Sequence, residues 1–114
     1  MSNNRNSRFD ALKTPATVFA ALGDETRLSV LGRLCNGVPQ SISRLTAGTN
    51  LSRQAVTKHL RVLANAGVVR NLRVGRESLF ALESQPIEAV RDYLDQVSRQ
   101  WDHALARLKS HVEE

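Results

Sequence analysis

Residues 51–76 read LSRQAVTKHLRVLANAGVVRNLRVGR, and along this stretch the apolar period changes once. Ser52 is placed to cap a helix, because a short hydroxyl side chain accepts from the free N–H groups of a first turn. Ala55, Val56, Leu60 and Leu63 then recur on one helical face. The spacing predicts a helix from Ser52 to Ala66, stopped by Gly67. Beyond Gly67 the period is two. Val68 and Val69 begin a strand, Leu72 and Val74 alternate with Arg73, and Gly75 with Arg76 makes a tight connection. Leu79, Phe80 and Leu82 mark the returning strand. A basic hairpin directly after a helix is a wing.

Upstream of this stretch, Ser41 to Ala47 is expected to form a short helix with Ile42 and Leu45 inward, followed by a turn over Gly48, Thr49 and Asn50. Two helices joined by a short Gly-containing turn make a helix-turn-helix. Before them, Asp24 caps a helix on which Leu28, Leu31, Leu34 and Cys35 share a face, ended by Asn36 and Gly37. Cys35 is expected in the core, since free cysteine is among the most buried residue types. Pro15, capped by Thr14, opens the first helix; Val18, Phe19 and Leu22 form its apolar face and Gly23 ends it. Residues 1–14 read as a polar, disordered arm whose Arg5, Arg8 and Lys13 are within reach of phosphate.

Downstream, Pro86 opens the final helix. Ile87, Val90, Leu94, Val97, Trp101, Ala104 and Leu108 repeat at 3-4 spacing, and Leu105 and Val112 widen the stripe. This is more apolar surface than a small domain leaves bare. A second copy of the chain is expected to cover it, through Val18, Phe19, Leu22, Val90, Leu94, Val97, Trp101, Leu105 and Leu108. The alternative is a helix folded back on its own domain. The expected architecture is mainly α, a winged helix-turn-helix in the order α-α-α-α-β-β-α. One domain spans 15–114, with 86–113 as a dimerisation helix.

The charge pattern points to the partner. The formal net charge is +5, and the sequence pI is about 10.3. Thr26 through Arg76 holds no Asp or Glu but nine basic residues, whereas Glu77 to the end holds eight acidic and four basic. A basic middle suits a polyanion, because each Lys or Arg on a phosphate releases condensed counterions. On the long helix, Ser52, Arg53, Gln54, Thr57, Lys58 and Arg61 lie opposite the inner stripe. A helix of this kind offers its first turns to base edges in the major groove. Arg53 suits guanine and Gln54 adenine, each by two hydrogen bonds. Thr57 suits a thymine methyl or a phosphate. Lys58 and Arg61 suit phosphates. Arg70, Arg73 and Arg76 complete the expected surface, the last two at the adjacent minor groove or its phosphates. His59, between the faces, reads as packed or backbone-bonded.

Other classes fit poorly. No apolar run approaches the ~20 residues of a membrane span, and residues 1–14 lack a signal-peptide core. The single cysteine allows no intrachain disulfide, which points to a reducing, cytoplasmic setting. No nucleophile with a nearby base, Gly-rich phosphate loop or carboxylate pair stands out, so an enzyme is not expected.

The run from Ala21 to Leu28 (ALGDETRL), the run from Leu51 to Leu60 with Leu63, the segment Ala66-Gly67-Val68-Val69 and the hairpin Arg73-Val74-Gly75-Arg76 together resemble the ArsR family of winged-helix repressors. The resemblance runs from about Pro15 to the C-terminus. It implies a homodimer joined through its terminal helices, bound to an inverted repeat in double-stranded DNA upstream of a small operon and repressing it. The family's metal-sensing patterns are incomplete here. Ser41 and Ser43 stand where one type carries two cysteines, and hydroxyls are poor ligands for soft metals. For the other type, His111 and Glu114 keep half of the ligand spacing, but the first half falls on Ser98 and Gln100. Asp102 and His103 are adjacent and point to different faces, and two ligands do not make a four-coordinate zinc site. No metal and no cofactor is therefore expected. Two alternatives stand beside this reading: a metal- or redox-responsive repressor of the same fold, or a protein-interaction module that uses the long terminal helix.

Overall fold

The computed structural model describes residues 14–113; the expected arm falls almost wholly outside them. The elements, in order, are α1 (14–22), α2 (Glu25–Gly32), β1 (Gln40–Ser41), α3 (Ile42–Thr46), α4 (Arg53–Asn65), β2 (Val69–Val74), β3 (Glu77–Leu82) and α5 (Ser84–Glu113). Helix starts are set by short oxygen-bearing side chains. The Asp24 carboxylate accepts from the Arg27 backbone N–H at 2.9 Å. Ser41 accepts from the Arg44 N–H at 3.2 Å and Ser52 from the Ala55 N–H at 3.1 Å. Each satisfies one of the donors that a first turn leaves unpaired. Gly67 ends α4 with φ +78°, and Gly75 turns the hairpin with φ +63°. An L side chain resists that region, so glycine fits both places.

Two arginines of the acid-free stretch act on helix ends instead of on solvent. The Arg27 Nε donates to the Ala21 carbonyl at 2.6 Å, so its cation sits at the C-terminus of α1. Arg33 donates to the Ala47 carbonyl at 2.8 Å, at the end of α3. Arg27 and Asp24 together lock the α1–α2 corner. The N–H bond from Arg27, opposed by desolvation and aided by that residue's charge, lowers the Asp24 carboxyl below its ordinary value. With a lowered folded value, this cap contributes above the ordinary carboxylate range and fades as pH falls through the folded value.

One apolar cluster holds the protein together. Val18 of α1, Val30, Leu31 and Leu34 of the α2 region, Leu45 of α3, and Val56, Leu60 and Leu63 of α4 are all buried in it. Val68, Val69 and Phe80 bring in the hairpin, and Val90 brings in α5. Three expectations change here. Val18 (0% exposed) and Val90 (7%) belong to the protomer's own core and not to a subunit interface. Cys35 is exposed, because bonds from Leu34 and Cys35 to carbonyls three residues back tighten the end of α2. That turn rotates Leu34 inward and leaves Cys35 outside, with Leu28 also half exposed. Third, α5 starts at Ser84, two residues before Pro86. Proline is tolerated there because a first-turn N–H has no helical acceptor.

The sheet has three strands in the order β1-β3-β2, all antiparallel. The third strand, β1, was not anticipated; it pairs Gln40 with Phe80 and Ser41 with Leu79. Ser41, expected inside the short helix, is the last residue of this strand and the cap of α3. The long helix α5 spans 30 residues, about 45 Å at 1.5 Å per residue. Beyond Val90 its apolar stripe is bare: Leu94, Val97, Trp101, Leu105, Leu108 and Val112 are all exposed. At its base, Tyr93 meets Phe19 of α1 edge-on, with ring centroids 6.0 Å apart. No helix among the described residues is long and apolar enough to cross a membrane.

Candidate nucleic-acid interface

Helix α4 divides its side chains by face. Val56, Leu60 and Leu63 are buried, while Arg53, Gln54, Lys58 and Arg61 are exposed. Ile42 of α3 joins Arg53, Gln54, Thr57, Lys58 and Arg61 around one open concave surface. None of these six is acidic. The structure therefore brings together five of the nine expected DNA-binding residues. Ser52 sits at the helix entrance, exposed, with its oxygen engaged as the cap. The Thr57 hydroxyl donates back to the Arg53 carbonyl at 2.8 Å, a common intrahelical bond. That bond takes up the hydroxyl proton and favours the methyl contact over a donor's role.

The hairpin places its arginines differently. Pairing sets Asn71 opposite Phe80 and Arg73 opposite Ser78. Side chains alternate along a strand, so Asn71, Arg73, Ser78 and Phe80 share one face, and because Asn71, Ser78 and Phe80 line a groove with Thr57, Leu60 and Arg61 that face turns toward α4. Arg70 takes the other face, where its Nε lies 3.7 Å from the Glu83 carboxylate. Arg70 is thus separated from the expected surface, while Arg73 stays with it and Arg76 sits in the turn. Arg70→Ala should leave DNA affinity within about twofold, since an exposed pair contributes little. Arg73→Ala should weaken binding and lower the salt slope by about one. Anisotropy titrations of both variants at several salt concentrations check this; equal losses would overturn the assignment of faces.

His59 is packed, as its position between the faces implied. Its side chain is 22% exposed, and Nδ1 lies 4.0 Å from Asp24 Oδ2. At the positions of the soft-metal pattern, the Ser41 hydroxyl caps α3 and Ser43 is exposed; hydroxyls are poor ligands for a soft metal ion. Ser98, Gln100 and His111 are exposed along α5, and Glu114 lies outside the described residues. Ser98 and Gln100 offer no carboxylate or imidazole to complete a four-coordinate site with His111.

The surface missed from sequence is the groove beside the wing, where Asn71 and Ser78 meet side chain to side chain. Neither residue is charged, and only the packing of the hairpin beside Thr57, Leu60 and Arg61 reveals that they face α4.

Residues 22–71 match a helix-turn-helix domain family. The chain is 33% identical over 93 residues to the HTH-type transcriptional regulator Rv2034 of Mycobacterium tuberculosis, covering 82% of this chain and 83% of that protein. It is 37% identical to the solved structure of an ArsR-like transcriptional regulator from Rhodococcus sp. RHA1. That match has a TM-score of 0.75 and covers 87% of this chain and 92% of the other. The chain belongs to the ArsR family of winged helix-turn-helix transcriptional regulators. A more distant likeness supports the fold of this ArsR-family regulator. It is to the solution structure of a homodimeric winged helix-turn-helix domain from Mycobacterium bovis, at 21% identity and a TM-score of 0.60 over 94% of this chain and 93% of that one. In the regulator, α3 and α4 are the helix-turn-helix and β2 with β3 is the wing.

Proposed function

We propose that this regulator is a homodimer that binds an inverted repeat in duplex DNA and represses a small operon. The observation that carries this reading is the acid-free concave surface of α4, with Arg53, Gln54, Lys58 and Arg61 exposed on one side of a helix whose other side is core. Arg53 and Gln54 read bases from the first turn. Lys58 and Arg61, further along, hold phosphates, and Arg73 with the Arg76 tip reaches the neighbouring minor groove. Two such surfaces, related by a two-fold axis, match two half-sites. The bare stripe on α5 supports the dimer, as does the homodimeric state of the Mycobacterium bovis relative. Phe19, exposed and edge-on to Tyr93 at the base of α5, adjoins the stripe, and Leu22 packs against the protomer's core.

The test is fluorescence anisotropy on the duplex upstream of the regulator's own gene, against a shuffled duplex, over a range of salt. Tight binding to the native duplex alone, with a steep salt slope, is expected. Equal and weak binding to both would overturn sequence-specific regulation at that site.

A further inference from the structure

A second groove lies between α4 and the wing, and the reading of α4 alone leaves it without a role. It is floored by apolar groups, among them Leu60, Ala64 and Phe80, and rimmed by Thr57, Arg61, Asn71 and Ser78. The Ser78 hydroxyl donates to Asn71 Oδ1 at 2.9 Å. That bond fixes the Asn71 side-chain amide and leaves both of its N–H donors unused by Ser78. Thr57 and Arg61 line this groove and the reading surface alike, so the two are continuous.

We infer that this groove seats one sugar-phosphate strand of the bound duplex, with Asn71 and Arg61 gripping a phosphate from opposite walls. The inference rests on the DNA-binding reading above. A helix in the major groove and a hairpin tip in the next minor groove have the strand that separates those grooves between them. The groove lies in that place. Its apolar floor suits deoxyribose, its rim supplies donors, and none of these lining groups is acidic. Ser78 acts as a positioning residue: it aims the Asn71 amide and needs no contact with DNA itself. Backbone contacts of this sort fix orientation and carry no sequence information.

The test uses the full chain with wild type, Asn71→Ala, Ser78→Ala, Ser78→Thr and Arg61→Ala, titrated against the native and shuffled duplexes across salt. A hydrogen bond to a charged oxygen corresponds to roughly a tenfold change in affinity. Asn71→Ala should lose about that factor on both duplexes with an unchanged salt slope, because asparagine carries no charge. Arg61→Ala should lose affinity on both and lower the slope by about one. Ser78→Ala should fall between wild type and Asn71→Ala, and Ser78→Thr, which keeps the hydroxyl on a strand-favouring side chain, should restore binding. Thermal melts that match wild type show that each variant is folded. Wild-type binding with Asn71→Ala unaffected overturns the strand seat alone. An Asn71→Ala loss confined to the native duplex makes Asn71 a base reader and overturns it too. Failure of wild type to bind any duplex overturns both this inference and the function on which it rests.

Discussion

Replacing Leu94 and Trp101 together with glutamate is expected to give a monomer whose operator affinity is lower by roughly 10²–10⁴-fold. Both side chains are already exposed in the protomer, at 49% and 62%. Neither supports the protomer's core, so the variant should still fold, with a Tm lowered by the loss of subunit association. In a two-fold interface each substitution acts twice. Burying a leucine side chain is worth about 1.5–3 kcal/mol, and an unpaired carboxylate in an apolar contact is costly. The loss at the operator follows because a second half-site contact is effectively intramolecular only while the subunits are joined. Sedimentation velocity and anisotropy on the same samples check both parts. A variant that stays dimeric would refute the α5 interface. A monomer that binds as tightly as wild type would show that recognition does not need two subunits.

Arg53→Ala should weaken operator binding by about 1–3 kcal/mol and relax preference at one base pair. Arg53 is the first residue of α4, exposed, and part of a surface with no carboxylate to neutralise it. A guanidinium offers two parallel N–H donors, which match the guanine O6 and N7 acceptors. Loss of that fork should therefore appear as altered sequence preference as well as lower affinity. Lys58→Ala is the control, with a uniform loss over all sequences and a shallower salt dependence. Binding measured against duplexes randomised one position at a time separates the two. A uniform loss for Arg53→Ala would reassign it to a phosphate.

The reading helix and the hairpin were legible because local chemistry dictates them. Ser52 caps, Gly67 and Gly75 adopt positive φ, and Val56, Leu60 and Leu63 share one face whatever surrounds them. The helix-turn-helix pair followed for the same reason. Three things were not legible. An amphipathic stripe marks an apolar face without naming what covers it, so the stripe alone points Val18 and Val90 at a partner although the protomer buries them itself. A two-residue strand such as β1 has no period to detect, and its pairing with β3 depends on where the chain returns. The sequence alone groups Arg70 with Arg73 on one surface; the strand pairing puts them on opposite faces, and the lining of Asn71, Ser78 and Phe80 beside Thr57, Leu60 and Arg61 shows that the face of Arg73 is the one toward α4. The net basic charge was similarly coarse, since Arg27 and Arg33 are directed at helix ends.

The division of α4 into two faces has an evolutionary consequence. Val56, Leu60 and Leu63 attach the helix to the domain, while Arg53, Gln54, Lys58 and Arg61 are exposed. Exposed substitutions of that kind usually move stability by no more than about 0.5 kcal/mol. On the proposed reading of α4, which promoter is recognised and whether the protein folds are therefore inherited on separate positions of a single helix. A duplicated gene can drift to a new target through the Arg53 and Gln54 codons while its product stays folded at every step.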